Sequence, residues 1–130
     1  MLKKFKIGKI IIDDKSNPVI IAEIGINHNG NLDRAIAIAD KAIKSGAEII
    51  KHQTHIIDEE MSVEARKAIP GNSKLSIYEI MKKCSLSENE ERKLMSYIKS
   101  KKKIFISSPF SIAAANRLQQ FNVPAFKIGS

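Results

Sequence analysis

Hydrophobic and polar positions follow two patterns along the chain. Short apolar runs rich in β-branched residues predict strands, and longer stretches with an apolar residue at every third or fourth position predict helices. The predicted strands are residues 5–7 and 10–12, which form a hairpin, and residues 19–24, 47–51, 104–107 and 125–128. The predicted helices are residues 32–43, 62–68, 77–84 and 111–120, and a long helix from residue 87 to the lysine cluster at 99–103.

Capping signals indicate where three of these helices begin. Asn31 is a predicted N-cap, and the pairs Ser76 with Glu79 and Ser87 with Glu90 have the spacing of a capping box. Each of these helices is therefore expected to begin at the residue after its cap.

Strands and helices alternate strictly after the hairpin. Tight strand–helix–strand connections require parallel pairing, so the pattern predicts a parallel sheet covered by helices, either an open doubly wound sheet or a barrel. A barrel needs eight such units and roughly 250 residues, and four units are present. We therefore expect an α/β fold that is the first half of a TIM (β/α)8 barrel. The N-terminal β-hairpin would occupy residues 1–15, and residues 16–130 would be a partial barrel truncated after the fourth strand. An open four-stranded sheet is the alternative.

Composition limits the class of protein further. At 130 residues with 43% hydrophobic content, the chain is long enough for one ordinary core. No N-terminal stretch has the pattern of a signal peptide and no apolar run is long enough to span a membrane, so we expect a cytoplasmic protein. The one cysteine, Cys84, lies in an amphipathic stretch and is expected to be a half-buried structural thiol.

The chain is basic, with 22 lysines and arginines against 14 acidic residues and a formal charge of +8. Such a balance fits nucleic acid, a small anion or a soluble surface. The densest run, at 99–103, falls where a helix ends, and cations there oppose the negative end of the helix dipole. Aromatic residues make up 5% of the chain and offer few stacking surfaces for single-stranded nucleic acid. No nucleic-acid partner is therefore expected, and a basic, non-enzymatic nucleic-acid-binding domain is the distant alternative.

Polar side chains follow each predicted strand after the hairpin. In a parallel α/β fold the carboxyl ends of the strands open on one face, so these side chains should meet there. The first strand ends at Glu23, the second at Lys51, the third at Ser107-Ser108 and the fourth at Lys127. We call this open face at the carboxyl ends of the strands the mouth. Ammonium groups and hydroxyls that meet at the mouth supply charge-assisted donors for a phosphate or a carboxylate. The pattern alone leaves open whether the lysines form an anion site or are solvated strand tips.

Glu23 and three histidines are further candidates for chemistry. If the side of the strand that carries Glu23 faces a barrel interior, apolar surroundings would raise the pKa of its carboxyl group towards acid–base use. The alternative is a structural ion pair with one of the strand-end lysines. His52 and His55 are three residues apart in a segment of strand and loop, so their side chains should leave on different sides. Together with His28 they are expected to have structural or substrate-orienting roles rather than to bind a metal.

Five segments of the chain together resemble one family of enzymes. They are AEIGINHNG at 22–30, KHQTHI at 51–56, IPGN followed by SIYEIMKKC within 69–84, FISSPFS at 105–111 and PAFKIGS at 124–130. In this order they are similar to the bacterial sialic acid synthases. These transferases condense phosphoenolpyruvate with N-acetylmannosamine to give N-acetylneuraminate and phosphate in sialic acid biosynthesis. The resemblance covers nearly the whole chain and implies the N-terminal part of the phosphoenolpyruvate-condensing barrel.

The resemblance also implies a role for residues at the strand ends. Glu23 matches the family's catalytic glutamate and is the candidate to move protons. The residues that match those holding phosphoenolpyruvate are Lys51, Ser108, Lys127 and Ser130, and those that match the sugar site are Gln53 and Phe110. The family pattern has threonine where this chain has Ser108. Both residues supply a hydroxyl group, so the role is kept while the packing is looser.

Further partners are implied by the resemblance. Members of the family are homodimers whose subunits follow the barrel with a small antifreeze-like domain. A divalent metal, usually Mn2+, binds the sugar aldehyde through two histidines, and these ligands are expected outside this chain. Legionaminic and pseudaminic acid synthases share the strand-end motifs and are the alternative, although KHQTH at 51–55 favours N-acetylneuraminate. The 130 residues alone are expected to be inactive.

Overall fold

Three parallel strands form the central sheet of the chain. The computed structural model describes residues 3–129. The sheet has the order β3-β4-β5, with β3 at Ile21–Gly25, β4 at Ile49–Thr54 and β5 at Ile104–Pro109. The helices are α1 at Leu32–Lys44, α2 at Ile57–Glu60, α3 at Ile77–Cys84, α4 at Glu88–Ser100 and α5 at Ile112–Gln120. Because neighbouring strands are parallel, all three carboxyl ends lie at the same edge of the sheet.

The two faces of the sheet pack against different parts of the chain. Side chains alternate along each strand, so Ile50 and its partner Phe105 point to the helices, while Ile49 and its partner Ile104 point away from them. The core on the helix side consists of Ile24, Ala35, Ala39, Ala47, Ile50, Leu86, Leu94, Met95, Ile98, Phe105, Leu118 and Phe121. This core holds the strands against α1 and α4 and leaves their other face for the polar strand ends.

The predicted β-hairpin is present, and it covers the amino end of this other face. The hairpin consists of β1 at Lys4–Ile7 and β2 at Ile10–Asp13, which pair antiparallel. Ile7 and Ile10, beside the turn, pack against the cluster that contains Ile104 at the start of β5. The opposite end of the sheet, where the strands turn polar, is the end left open.

The predicted helix caps are confirmed. Asn31 accepts a first-turn backbone N–H of α1 with its side chain, and Ser76 and Ser87 each form a capping box, at α3 and α4. The lysine cluster lies where α4 ends at Ser100, and Cys84 is half-buried at the end of α3, as expected. No helix within the part of the chain that the structure describes is long and apolar enough to cross a membrane.

The predicted fourth strand at 125–128 is wrong. This segment makes one isolated parallel bridge, between Ser107 and Phe126, and the Lys127 N–H donates to the Ser107 carbonyl at 3.1 Å. Pro124 has no N–H to contribute, so pairing begins only after it. Within residues 3–129 no further strand pairs with the far side of the segment, and one bridge does not build a ladder.

The segment between β4 and α3 also differs from its prediction. Instead of a helix at 62–68 it forms a single 3₁₀ turn at Ala65–Lys67, because the chain becomes extended at Ala68, shortly before Pro70. The short helix α2 was not predicted. At their carboxyl ends β4 and β5 extend further than predicted, to Thr54 and Pro109. Polar residues there still pair across the sheet.

Gly30 is a position where the fold requires glycine. Its φ is +71°, and a Cβ there would meet the backbone carbonyl oxygen of Lys83 closer than van der Waals contact allows. Because a backbone atom cannot move aside as a flexible side chain can, Gly30→Ala is expected to lower the free energy of unfolding by about 2 kcal/mol. Denaturant unfolding measures the change. Gly71→Ala is the control, since a Cβ at Gly71 meets nothing within 4 Å; equal losses in both variants would contradict the prediction.

Candidate anion-binding site at the strand ends

Glu23 and Lys51 form an ion pair at the open end of the sheet. They are register partners on β3 and β4, on the face that points away from the helices. The Lys51 side chain is 8% exposed, whereas the Glu23 side chain is 64% exposed. The lysine therefore presents its charge to the mouth of the site with little water around it, and low hydration strengthens its attraction for an anion.

This ion pair determines the charge state of Glu23. The hydrogen bond from Lys51, followed by the charge of Lys51, lowers the pKa of the Glu23 carboxyl group, and the charge of Lys127 lowers it slightly further. The expectation that apolar surroundings raise this pKa is wrong, because the side chain lies in solvent beside an ammonium group. Of the two interpretations that the pattern left open, the structure contains the ion pair. Glu23 is therefore ionised at neutral pH and can accept a proton.

Two other residues expected in the anion site lie close to this pair. Ser108 is buried near the end of β5 and is the register partner of Gln53, two residues nearer the open edge than Lys51. Lys127 is half-buried, and its charge acts on the Glu23 carboxyl group. The fourth residue assigned to phosphoenolpyruvate, Ser130, lies outside the described residues. The strand ends thus bring two ammonium groups and a hydroxyl to the same mouth.

A cleft lies beside Gln53 and Phe110, the residues expected at the sugar site. His55 connects them, since its Nε2 is 3.3 Å from Gln53 Oε1 and its ring stacks on Phe110 with the ring centroids 4.3 Å apart. Glu60 on α2 lies 2.9 Å from the other ring nitrogen, Nδ1. The cleft has a volume of about 260 Å³ and is lined by His55, Glu60, Met61, Ile77, Met81 and Phe110. Its mainly apolar walls with a polar histidine–glutamate pair suit an uncharged polar ligand that carries methyl groups.

The histidines do not form a metal site in the described part of the chain. Among residues 3–129, no group of three or more His, Cys, Asp or Glu side chains is arranged to hold a metal ion. His52 and His55 leave on different sides, as predicted: His52 bonds Glu91 on the helix side, and His55 lines the cleft. The resemblance places the ligands of its divalent metal outside this chain, so these histidines are not assigned to that metal.

A buried polar cluster behind the site was not predicted. Its centre is Glu91 on α4, which is fully buried and contacts His52, Thr54 and Arg117. One sequence signal points to it, because Glu91 falls on the apolar stripe of α4, three residues before the buried Leu94. An acid on such a stripe needs buried partners, but the sequence does not say which residues supply them.

The open edge of a parallel α/β sheet that gathers two lysines, a buried hydroxyl and an ionised glutamate is typical of an enzyme acting on a phosphate- or carboxylate-bearing substrate. Comparison with known proteins narrows this class. The model of the NeuB family matches residues 14–130, and the chain belongs to that family. The resemblance carried by the strand-end motifs is confirmed.

Curated relatives match nearly all of the chain. It is 32% identical over 117 residues to the N,N'-diacetyllegionaminic acid synthase of Campylobacter jejuni, a match that covers 86% of this chain and 35% of that protein. It is 34% identical over 117 residues to the N-acetylneuraminate-9-phosphate synthase of Homo sapiens, covering 85% of this chain and 32% of that protein. The chain thus spans about a third of the length of these relatives.

A solved structure has the same fold. The N-acetylneuraminic acid (sialic acid) synthetase of Leptospira borgpetersenii, in complex with citrate, superposes with a TM-score of 0.78 and is 27% identical in sequence. The match covers 98% of this chain and 41% of that chain. The likeness extends to the N-terminal region, where the predicted hairpin is present.

Proposed function

We propose that this chain is the first part of a synthase that condenses phosphoenolpyruvate with N-acetylmannosamine to give N-acetylneuraminate and phosphate. The observation that carries the proposal is the ion pair between the buried Lys51 and the solvent-exposed Glu23 at the open end of the sheet. Phosphoenolpyruvate has a phosphate and a carboxylate, which are the groups that dehydrated ammonium donors bind well. The family membership and the synthase relatives support the same reaction.

In this proposal different residues at the strand ends bind the two substrates. Lys51 and Lys127 offset the charge of phosphoenolpyruvate, and the Ser108 hydroxyl donates to one of its oxygens. Ser130 is assigned to the same substrate by the resemblance alone. The sugar takes the side of the mouth where Gln53 and Phe110 border the cleft, which places its aldehyde next to phosphoenolpyruvate.

The proposed reaction makes a carbon–carbon bond, adds the oxygen of water and breaks the bond between carbon and the phosphate oxygen. The methylene carbon of phosphoenolpyruvate attacks the aldehyde carbon, which leaves an alkoxide on the sugar and an oxocarbenium centre on the former alkene. Because Glu23 is ionised by its pairing with Lys51, it can accept a proton from the water that adds to this centre and then give that proton to the alkoxide. Phosphate then leaves, the new hydroxyl group loses its proton to it, and the ketone forms. The ammonium groups stabilise the negative charge of the phosphate and carboxylate throughout.

The proposal extends to the architecture of the longer protein. We place the sheet in a TIM (β/α)8 barrel, with the hairpin at residues 1–15 and the partial barrel at 16–130. Several apolar side chains next to the sheet are exposed, and both faces of a parallel sheet are normally covered. They are Ile20, Ile21, Phe126 and Ile128. Further strands would bury them. A Mn2+ ion bound by ligands outside this chain, a homodimer, an antifreeze-like domain and a cytoplasmic location belong to the same proposal.

The lining of the cleft also supports an alternative sugar substrate. Met61, Ile77 and Met81 present apolar surface beside the proposed sugar site. An aldose with a second acetyl group would place one more methyl group on such surface than N-acetylmannosamine does. Legionaminic or pseudaminic acid would then be the product, and the name of the Campylobacter relative agrees with the first of these.

Phosphate release tests the proposal and separates the two sugars. The full-length protein that carries this chain is incubated with phosphoenolpyruvate and either N-acetylmannosamine or a diacetylated aldose. Release that requires both substrates is expected, and the preferred aldose identifies the product. Release that does not depend on any aldose would refute the proposal.

Lys51→Met is expected to weaken the binding of phosphoenolpyruvate. Methionine keeps the length of the side chain but removes the ammonium group, so KM for phosphoenolpyruvate should rise about 10- to 100-fold, the loss expected for hydrogen bonds to charged groups. Steady-state phosphate release at varied phosphoenolpyruvate concentration measures it. Lys93→Met, at an exposed position of α4, is the matched control. The same KM in Lys51→Met as in the wild type would exclude Lys51 from the site.

A further inference from the structure

A network of buried hydrogen bonds lies on the helix side of the sheet, directly behind the anion site. At its centre is Glu91, whose side chain is 0% exposed. Its Oε1 accepts from Thr54 Oγ1 and, at 3.0 Å, from His52 Nδ1, and its Oε2 accepts from Arg117 Nη1 at 3.3 Å. Every buried side-chain nitrogen and oxygen in the described part of the chain has a partner. A fully satisfied network of this kind holds its members in one arrangement.

The hydrogen bonds of this network run in one direction. Burial acts to raise the pKa of Glu91, but the hydrogen bond from His52 and the other partners outweigh it and lower the pKa, so the carboxylate is ionised and only accepts. His52 therefore donates from Nδ1 and accepts at Nε2 from His28 Nε2, which is 3.2 Å away. His28 Nδ1 accepts the backbone N–H of Gly30 at 3.2 Å. One tautomer of each histidine satisfies all of these contacts.

The same network joins the two strands that carry the anion site. Because the Thr54 hydroxyl proton is directed to Glu91, Ser107 Oγ donates to Thr54 Oγ1, at 2.7 Å. Thr54 belongs to β4 and Ser107 to β5, so one carboxylate on α4 fixes both strand ends. Through His28 it also reaches the loop that follows Glu23 and β3.

Network residues and site residues alternate along these strands. On β4, His52 and Thr54 point to the helices, and the residues that alternate with them, Lys51 and Gln53, point to the mouth. On β5, Ser107 belongs to the network, and the next residue, Ser108, belongs to the mouth. A shift of either strand end therefore moves both sets of side chains together.

We infer that Glu91 is a positioning residue that acts through His52 and Thr54. By fixing the ends of β4 and β5, it sets the spacing between Lys51 and Ser108, the groups that hold phosphoenolpyruvate in the proposed function. Glu91 itself touches no substrate, because it lies on the other face of the sheet. The identity of the ligand rests on the proposed function, whereas the network and its position do not.

Two variants test this role by kinetics. Thr54→Val removes a hydroxyl at nearly constant volume, and Glu91→Gln removes the charge of the carboxylate. Each is expected to raise KM for phosphoenolpyruvate about tenfold, with a smaller change in kcat, the size expected when a hydrogen bond to a charged group is lost. Thr54→Ser keeps the hydroxyl and should restore KM. Glu59→Gln, at an exposed position of α2 away from the network, should leave KM unchanged.

The outcomes separate this inference from the proposed function. A KM equal to that of the wild type in both variants, with only a lower midpoint of thermal unfolding, would mean that Glu91 merely stabilises the fold and would overturn the inference. A wild-type protein that releases no phosphate with either aldose would refute the proposed function instead.

NMR of the histidine rings tests the network independently of catalytic activity. In protein labelled with 15N-histidine, His28 is expected to carry its proton on Nε2 and His52 on Nδ1. Glu91→Gln should change the His52 signal, and Glu59→Gln should not. A wild-type His52 that carries its proton only on Nε2 would overturn the inference even in an active enzyme, because it could not donate to Glu91.

Discussion

Replacing Glu23 with glutamine is expected to lower kcat for phosphate release by about 10²- to 10⁴-fold in the full-length protein. The glutamine amide keeps the shape of the side chain, and its oxygen still accepts a hydrogen bond from Lys51, but it cannot take up a proton. The loss should fall on kcat more than on KM for phosphoenolpyruvate, because both lysines of the site stay in place. Phosphate release at saturating concentrations of both substrates measures kcat directly.

Glu59→Gln is the matched control for this variant. Glu59 lies on α2, near the same edge of the sheet, and is exposed, so the change removes the same charge without touching the site. Its kcat should stay close to that of the wild type. Undiminished turnover in Glu23→Gln would remove Glu23 from the mechanism. An equal loss of kcat in Glu59→Gln would show that the loss comes from the change in net charge and not from the site.

Acid is expected to destabilise the chain between pH 6.5 and about 4, because of His28. Burial, followed by the neighbouring His52, lowers the pKa of His28 from 6.5 to about 4, although the Gly25 backbone, Glu90 and Glu91 act in the opposite direction. In the unfolded chain the same imidazole binds a proton near pH 6.5. Since the unfolded state binds more protons in this interval, the free energy of unfolding falls as the pH falls, by about 3 kcal/mol over the whole interval.

Denaturant unfolding of the wild type and of His28→Gln, at several pH values between 7 and 5, checks this expectation. Glutamine does not titrate, so the variant should lose less stability than the wild type over this range. Carboxyl groups with a lowered pKa, such as Glu91, lose their stabilising effect only at lower pH, so the difference between the two proteins reports His28. Parallel pH profiles would contradict the assignment.

Local signals predict most of the fold. The caps at Asn31, Ser76 and Ser87 are correct because a cap and its helix lie within a few residues of each other. The segment 125–128 fails because an apolar run shows only that a strand is favourable, and whether it pairs depends on neighbours that are remote in sequence. The same limit explains why β4 and β5 extend further than their apolar runs.

The sequence predicts those site residues that lie at strand ends. Glu23 and Lys51 each end an apolar run, and parallel strands place such residues side by side. The charge state of Glu23 is not predictable in this way, because it depends on whether the Lys51 ammonium group reaches the carboxylate and on how far solvent covers the side chain. The network around Glu91 is hidden for a different reason, since its partners come from β4, β5 and α5 and share no local pattern.

β4 carries site residues on one face and network residues on the other, which limits the insertions and deletions that it can tolerate. Deleting or inserting one residue within Ile49–Thr54 would turn Lys51 and Gln53 into the helix-side core and bring His52 and Thr54 to the mouth. Such a frame-preserving change would destroy the site and the core at once. The long connection at 61–76 has exposed residues and no such alternation, so it can lengthen or shorten between species. Length variation is therefore expected to accumulate in this connection and to be absent from β4.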